Sequence, residues 1–97
     1  KYIIKLNWGV SVNNVTVNLG KRIKELRKEN GISQEKLALL TGLDRTYITS
    51  VENGKRNVSI INIERIVNSL NSNLPNFFDS DYFRDEEIKW LKIIKLL

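Results

Sequence analysis

The sequence predicts an all-α fold preceded by a short β-like extension. Three observations carry that prediction. From Leu19 onward, apolar residues recur at three- and four-residue spacing, the period of a helix with one buried face. Residues that cap helix starts (Ser33, Asp44, Ser59) stand just before successive apolar runs. Glycines (Gly31, Gly42, Gly54) stand where those runs stop. A chain of 97 residues has room for one modest core.

Each element has its own signal. Tyr2, Ile4, Leu6, Trp8, Val10 and Val12 alternate with mostly polar residues, which predicts a half-buried strand. Asn13-Asn14 can make a tight turn, and Val15, Thr16 and Val17 a short return strand, so residues 1–17 are expected to form a β-like extension. Asn18 can cap a first helix that runs to about Asn30 and buries Leu19, Ile23 and Leu26. Ser33 caps a second helix, Gln34 to Thr41, with Leu37, Ala38, Leu40 and Thr41 inward. Asp44 caps a third, Arg45 to about Asn53, burying Ile48 and Val51. Ser59 caps a fourth, Ile60 to about Leu70, with Ile60, Ile63, Ile66, Val67 and Leu70 inside. Pro75 can start a helical turn at Asn76-Phe77-Phe78. Ser80 or Asp81 begins a last helix to about Lys95, its acids early and its lysines late, as the helix dipole favours.

Composition removes several function classes. There is no Cys and no His, which argues against disulfides, zinc or haem sites and a hydrolase triad, so no metal or cofactor is expected. No nucleophile–base pair or carboxylate pair stands out, and an enzyme within these residues is not expected. No small-molecule ligand is evident. No apolar run approaches the roughly 18 residues of a membrane span and no secretory pattern opens the chain, so a cytoplasmic location is expected. The chain opens with Lys1 and contains no Met, so its numbering is expected to start inside a longer protein.

The net charge is +5, unevenly spread. Residues 1–19 carry +2, residues 20–57 carry +4 and residues 58–97 carry −1. The front therefore suits a polyanion.

Residues 33–54 hold the informative motif. Two short helices meet at a tight turn containing Gly42, Ala38 is small where they approach, and Leu43 can plug their angle. This is a helix-turn-helix whose second member, the third helix of the chain, is the recognition helix. Its first turn projects Arg45, Thr46 and Tyr47. Arg45 can bond guanine O6 and N7, Thr46 can meet a thymine methyl, and Tyr47 can stack or bond a base or phosphate. Thr49 and Ser50 are short enough to approach DNA without clash. Gln34, at the start of the second helix, can add its amide to backbone N–H groups that hold a phosphate. Lys36 and Lys55 are further phosphate candidates.

The stretch Leu43 to Glu52, followed by Lys55-Arg56-Asn57-Val58-Ser59, resembles the lambda-repressor-like, Cro/C1-type helix-turn-helix family. The likeness covers about residues 18–79 and is greatest to the controller proteins of restriction–modification systems. It implies a five-helix DNA-binding domain, to which residues 80–97 add an extra helix. It implies the same base-reading roles for Arg45 and Thr46. It implies that Arg56 and Asn57 clamp phosphates, and that Arg27 and Glu52 pair beneath the recognition helix. It also implies a dimer contact after the fourth helix, around residues 70–79. Leu74, Phe77, Phe78, Tyr82, Phe83 and Trp90 are candidates for it, with the last helix added and residues 2–8 behind it.

Together these readings predict a homodimeric regulator of transcription on double-stranded DNA, binding an operator with two half-sites. A phage-type repressor, an antitoxin, and the DNA-reading head of a larger DNA-modifying enzyme are the alternatives.

Overall fold

Residues 15–84 run through successive short helices: α1 (Val15–Glu29), α2 (Gln34–Thr41), α3 (Arg45–Glu52), α4 (Ile60–Ser69), α5 (Leu74–Phe78) and a 3-10 turn (Asp81–Phe83). The computed structural model describes residues 15–84, 91 and 93–97. The strand expected over residues 2–12 and the turn at Asn13-Asn14 lie outside the described residues.

The helices pack around one core. Ile23, Leu37, Ile48, Ile66, Val67 and Phe77 are fully buried there, with Leu19, Leu26, Val51, Ile63 and Leu70 close to it. α1 lies against α3, α2 against both α3 and α4, α4 against α5, and the 3-10 turn against α1. Ile32, Leu43, Tyr47, Val58, Leu74 and Phe83 close the margins of the core.

Caps set most of the boundaries. Ser33 Oγ accepts the Lys36 N–H at 3.0 Å, and Ser59 Oγ accepts the Asn62 N–H at 3.2 Å. Asn73 Oδ1 accepts the Asn76 N–H at 2.8 Å and starts α5, with Pro75 in its first turn. Asp44 stands at the N-cap of α3 in extended conformation, but its side chain makes no capping bond. The end of α3 is set by Gly54 at φ 74°: its N–H bonds the Val51 carbonyl and the Lys55 N–H bonds the Ser50 carbonyl, both at 3.0 Å. That pair of bonds is a Schellman motif, and it throws the basic loop Lys55–Asn57 away from the helix axis.

Five expectations are corrected. Val15–Val17 does not return as a strand; it is the first turn of α1, and Asn18 lies within that helix instead of capping it. Val17 packs on Gly54, where an added Cβ would come within 2.8 Å of the Val17 Cα, and this packing outweighs the β-propensity of three residues. Leu40 is 50% exposed, because the inward position of α2 goes to Thr41, whose hydroxyl is satisfied by the Leu37 carbonyl at 2.8 Å. Ile60 is 58% exposed at the first position of α4, three residues before the first buried one. The last helix does not start at Ser80 or Asp81. Ser80 caps a 3-10 turn, which stops where Arg84 is extended (φ −91°, ψ 141°), and helix is present at residues 93–96. Arg84 bridges Asp79 and Asp81, and Phe83 turns toward Phe77 and Phe78, so the chain bends where a continuous helix would run straight.

Of the glycines in the described residues, Gly20 is the most closely surrounded. A Cβ there would meet the Val51 carbonyl oxygen, and would stand 2.6 Å from the Glu52 carbonyl oxygen and 2.8 Å from its carbon. These are backbone atoms of α3, which cannot swing aside as a side chain can. Gly20→Ala is therefore expected to cost about 1–3 kcal/mol of stability despite the better helix propensity of alanine. Chemical denaturation checks this, and an unchanged or raised midpoint would contradict so close a crossing.

Candidate nucleic-acid interface

The recognition helix is held from below by charge and hydrogen bonds. Arg27 of α1 donates from Nε to Glu52 Oε2 at 2.7 Å and from Nη2 to Glu52 Oε1 at 3.0 Å. Its Nη1 donates to the Ile32 carbonyl at 2.8 Å. The side chains are only 11% and 2% exposed, so this is a buried, bidentate pair. Gln34 of α2 joins it: Nε2 donates to Glu52 Oε1 at 3.1 Å, and Oε1 accepts the Thr49 hydroxyl at 2.9 Å. One network thus ties α1, the following loop, α2 and α3 together. No buried side-chain nitrogen or oxygen among the described residues lacks a partner.

Above that network the candidate reading residues divide. Arg45 and Thr46 are exposed on the first turn of α3. Thr49 and Ser50 are half-buried on its next turn, and the Thr49 hydroxyl is already engaged by Gln34. Tyr47 is half-buried, packed on the core margin, and its hydroxyl accepts a hydrogen bond from Asn62 Nδ2 at 3.3 Å. Lys36, Lys55, Arg56 and Asn57 are exposed. The Arg56 guanidinium lies 5.3 Å from the centre of the Tyr47 ring, within cation–π range. The side chain of Gln34 points inward, which leaves the backbone at the start of α2. Of its first N–H groups, those of Lys36 and Leu37 are taken by Ser33, and a helix supplies no internal partner for the two before them.

The candidate dimer residues are also divided. Phe77 is fully buried and belongs to the core, which corrects its place among interface candidates. Its carbonyl and that of Asn76 accept from Arg22 of α1 at 2.8 and 2.9 Å, so α5 is pinned with Phe77 facing in. Leu74 and Phe83 are half-buried against the core, whereas Phe78 and Tyr82 are exposed. Trp90 lies outside the described residues.

The sequence reading missed three parts of this arrangement: the inward turn of Gln34, the contact of Asn62 with Tyr47, and the clamp by Arg22. The only sequence signal for them was placement. Arg22 and Asn62 sit on helices whose polar faces are otherwise solvated. No group of three or more metal-ligating side chains occurs among the described residues, and no described helix is long and apolar enough to cross a membrane.

Comparison with known proteins matches this geometry. The helix-turn-helix family pattern matches residues 23–77, which span α2, α3 and α4 entirely, the C-terminal half of α1 and most of α5. The control protein C.MunI of Mycoplasma sp is 46% identical over 68 residues, covering 69% of this chain and 92% of its own length. The control protein C.BamHI of Bacillus amyloliquefaciens is 44% identical over 59 residues, covering 60% and 73%. Among solved structures, the restriction-modification controller protein C.AhdI from Aeromonas hydrophila superposes with a TM-score of 0.60 at 47% identity, covering 64% of this chain and 92% of its own. The controller protein C.Esp1396I, solved as a tetramer in complex with its natural 35 base-pair operator, gives a TM-score of 0.63 at 38% identity, covering 66% and 84%. The chain belongs to the Cro/C1-type helix-turn-helix family of transcription regulators, among the restriction–modification controller proteins.

Proposed function

We propose that this chain regulates transcription by binding double-stranded DNA through α3, as a homodimer on an operator with two half-sites. One observation carries the reading. Arg45 and Thr46 stand exposed on the first turn of α3, a helix that the exposed Lys55–Asn57 loop meets through Arg56 over Tyr47 and that the start of α2 meets through Gln34 on Thr49. A helix of eight residues entering the major groove reads a few base pairs. Two copies are needed for a site of useful specificity, in keeping with the operator-bound tetramer of C.Esp1396I.

Within this reading Arg45 selects a guanine and Thr46 tests its neighbour. Arg56, Asn57, Lys36 and Lys55 contact phosphates. Gln34 offers the helix start through its backbone, and its side chain fixes Thr49. Thr49 and Ser50 approach the groove floor. Phe78 and Tyr82 are the exposed candidates for the dimer contact. The gene pair controlled would be that of a restriction–modification system, and the protein would act in the cytoplasm without enzymatic activity of its own.

Arg45→Ala tests the reading. It is expected to relax preference at one base position in each half-site at a cost of about 1–3 kcal/mol, with the fold intact. Competition binding with single-base variants of the selected site measures this. Unchanged preference would remove Arg45 from the reading set.

A further inference from the structure

We propose that the surface around Tyr82 is self-complementary in charge, and that in a homodimer Lys21, Lys24 and Lys28 of one copy take the Asp79 and Asp81 carboxylates of the second. This deepens the homodimer reading and rests on it. The 3-10 turn packs along α1, and an open groove of about 440 Å³ lies there, lined by Lys21, Lys24, Glu25, Lys28 and Tyr82. The three lysines are exposed and stand three and four residues apart, so they share one side of the helix. None of them pairs with a carboxylate among the described residues. Glu25, the one acid of the groove, is taken by Arg22 at 2.6 Å. The groove therefore carries uncompensated positive charge.

The matching charge stands next to it in the chain. Asp79 and Asp81 precede Tyr82 by three residues and one, and their side chains are 69% and 79% exposed. Arg84 bonds only Oδ1 of each, so both carboxylates keep an oxygen without a partner among the described residues. One guanidinium cannot neutralise two carboxylates, and net negative charge remains. Phe78 and Tyr82, both exposed, supply apolar area beside the charges. A two-fold contact needs a surface of this kind: residue i of one copy meets j of the other while j meets i, so each ion contact forms twice. DNA fits the groove less well as an occupant. None of the residues assigned to DNA lines it, and phosphates would gain nothing from Asp79 and Asp81.

Sedimentation velocity of the full chain without DNA, over a salt series, tests this. The wild-type dimer is expected to weaken as salt rises, because ion pairs at an interface rim are screened. A purely apolar contact in a chain of net charge +5 would instead tighten as the overall repulsion is screened. Lys21→Glu with Lys24→Glu is expected to loosen self-association about tenfold at low salt, and so is Asp79→Lys with Asp81→Lys, since each sets like charges against one another across the axis. An equimolar mixture of the two variants is expected to associate like the wild type, because every facing pair is again opposite in sign. A mixture no tighter than the separate variants would overturn the proposal, as would variants that dimerise like the wild type. A lysine variant that stays dimeric yet binds a mixed-sequence duplex more weakly would also overturn it and place this side of α1 on DNA. A wild type that sediments as a monomer throughout would sink the homodimer reading itself, and this inference with it. Thermal melts confirm folding. Should the aspartate-to-lysine variant not fold, Asp79→Asn with Asp81→Asn takes its place. Mixed with the lysine variant, it is expected to associate more tightly than the lysine variant does with itself, and no gain on mixing would overturn the proposal.

Discussion

Glu52→Ala is expected to lose about 3–5 kcal/mol of stability, because it leaves the Arg27 guanidinium buried without its counter-charge. The pair is bidentate and the Glu52 side chain is 2% exposed, so water cannot take the place of the missing carboxylate. A domain of this size has roughly 5–15 kcal/mol in all, and the variant would lose a large share of it. Gln34 would lose its acceptor at the same time, and with it part of the hold on Thr49. DNA binding would fall with stability, without a change in base preference. Replacing both partners with apolar residues of similar volume is expected to recover most of the stability, since the cost lies in the unpaired charge and not in the absence of the pair. Urea denaturation of the two single variants and the double variant measures this. Single losses under about 1 kcal/mol would mean the pair behaves as a solvated one.

Phe77→Ala is expected to lose about 3–5 kcal/mol, the cost of emptying a large buried site. Phe77 has no exposed surface, meets Phe78 edge-on at 5.0 Å between ring centres, and lies 5.8 Å from the Phe83 ring. Phe78, one residue on and 39% exposed, gives the contrast: Phe78→Ala should cost far less in the monomer's unfolding. The same denaturation experiment separates the two. A Phe77→Ala variant as stable as the wild type, yet impaired in self-association, would return Phe77 to the interface.

The helices α2 and α4 were legible in the sequence because two independent local signals coincided there, whereas α1 and α3 rested on apolar spacing, with Asn18 inside α1 and Asp44 making no capping bond. Apolar spacing marked Ile23, Leu26, Ile48, Val51, Ile63, Ile66 and Val67, and caps at Ser33 and Ser59 marked where the runs began. The misjudged positions are those where tertiary contact decided between local options. Leu40, expected inward beside Thr41, is exposed, while Thr41 is buried as expected, its hydroxyl bonded to the Leu37 carbonyl of its own helix. Val15–Val17 joined α1 because Gly54 lets the chain approach so closely. The 3-10 turn stopped at Arg84 because Arg84 pairs back to Asp79 and Asp81 and Phe83 has a core margin to pack on. For the site, exposure at Arg45, Thr46 and Arg56 follows from charge and helix position. The inward turn of Gln34 and the Asn62–Tyr47–Arg56 contacts do not, because they join residues 9 to 18 positions apart through side-chain geometry alone.

The central claim is that α3, led by Arg45 and Thr46, reads DNA sequence from each of two copies of the chain. Selection of bound duplexes from a random pool at near-physiological salt tests it most directly. Recovery of a palindrome with half-sites centred about one helical turn apart is the predicted result. Failure to enrich any sequence would contradict it, and would reduce the basic face to non-specific attraction for polyanions.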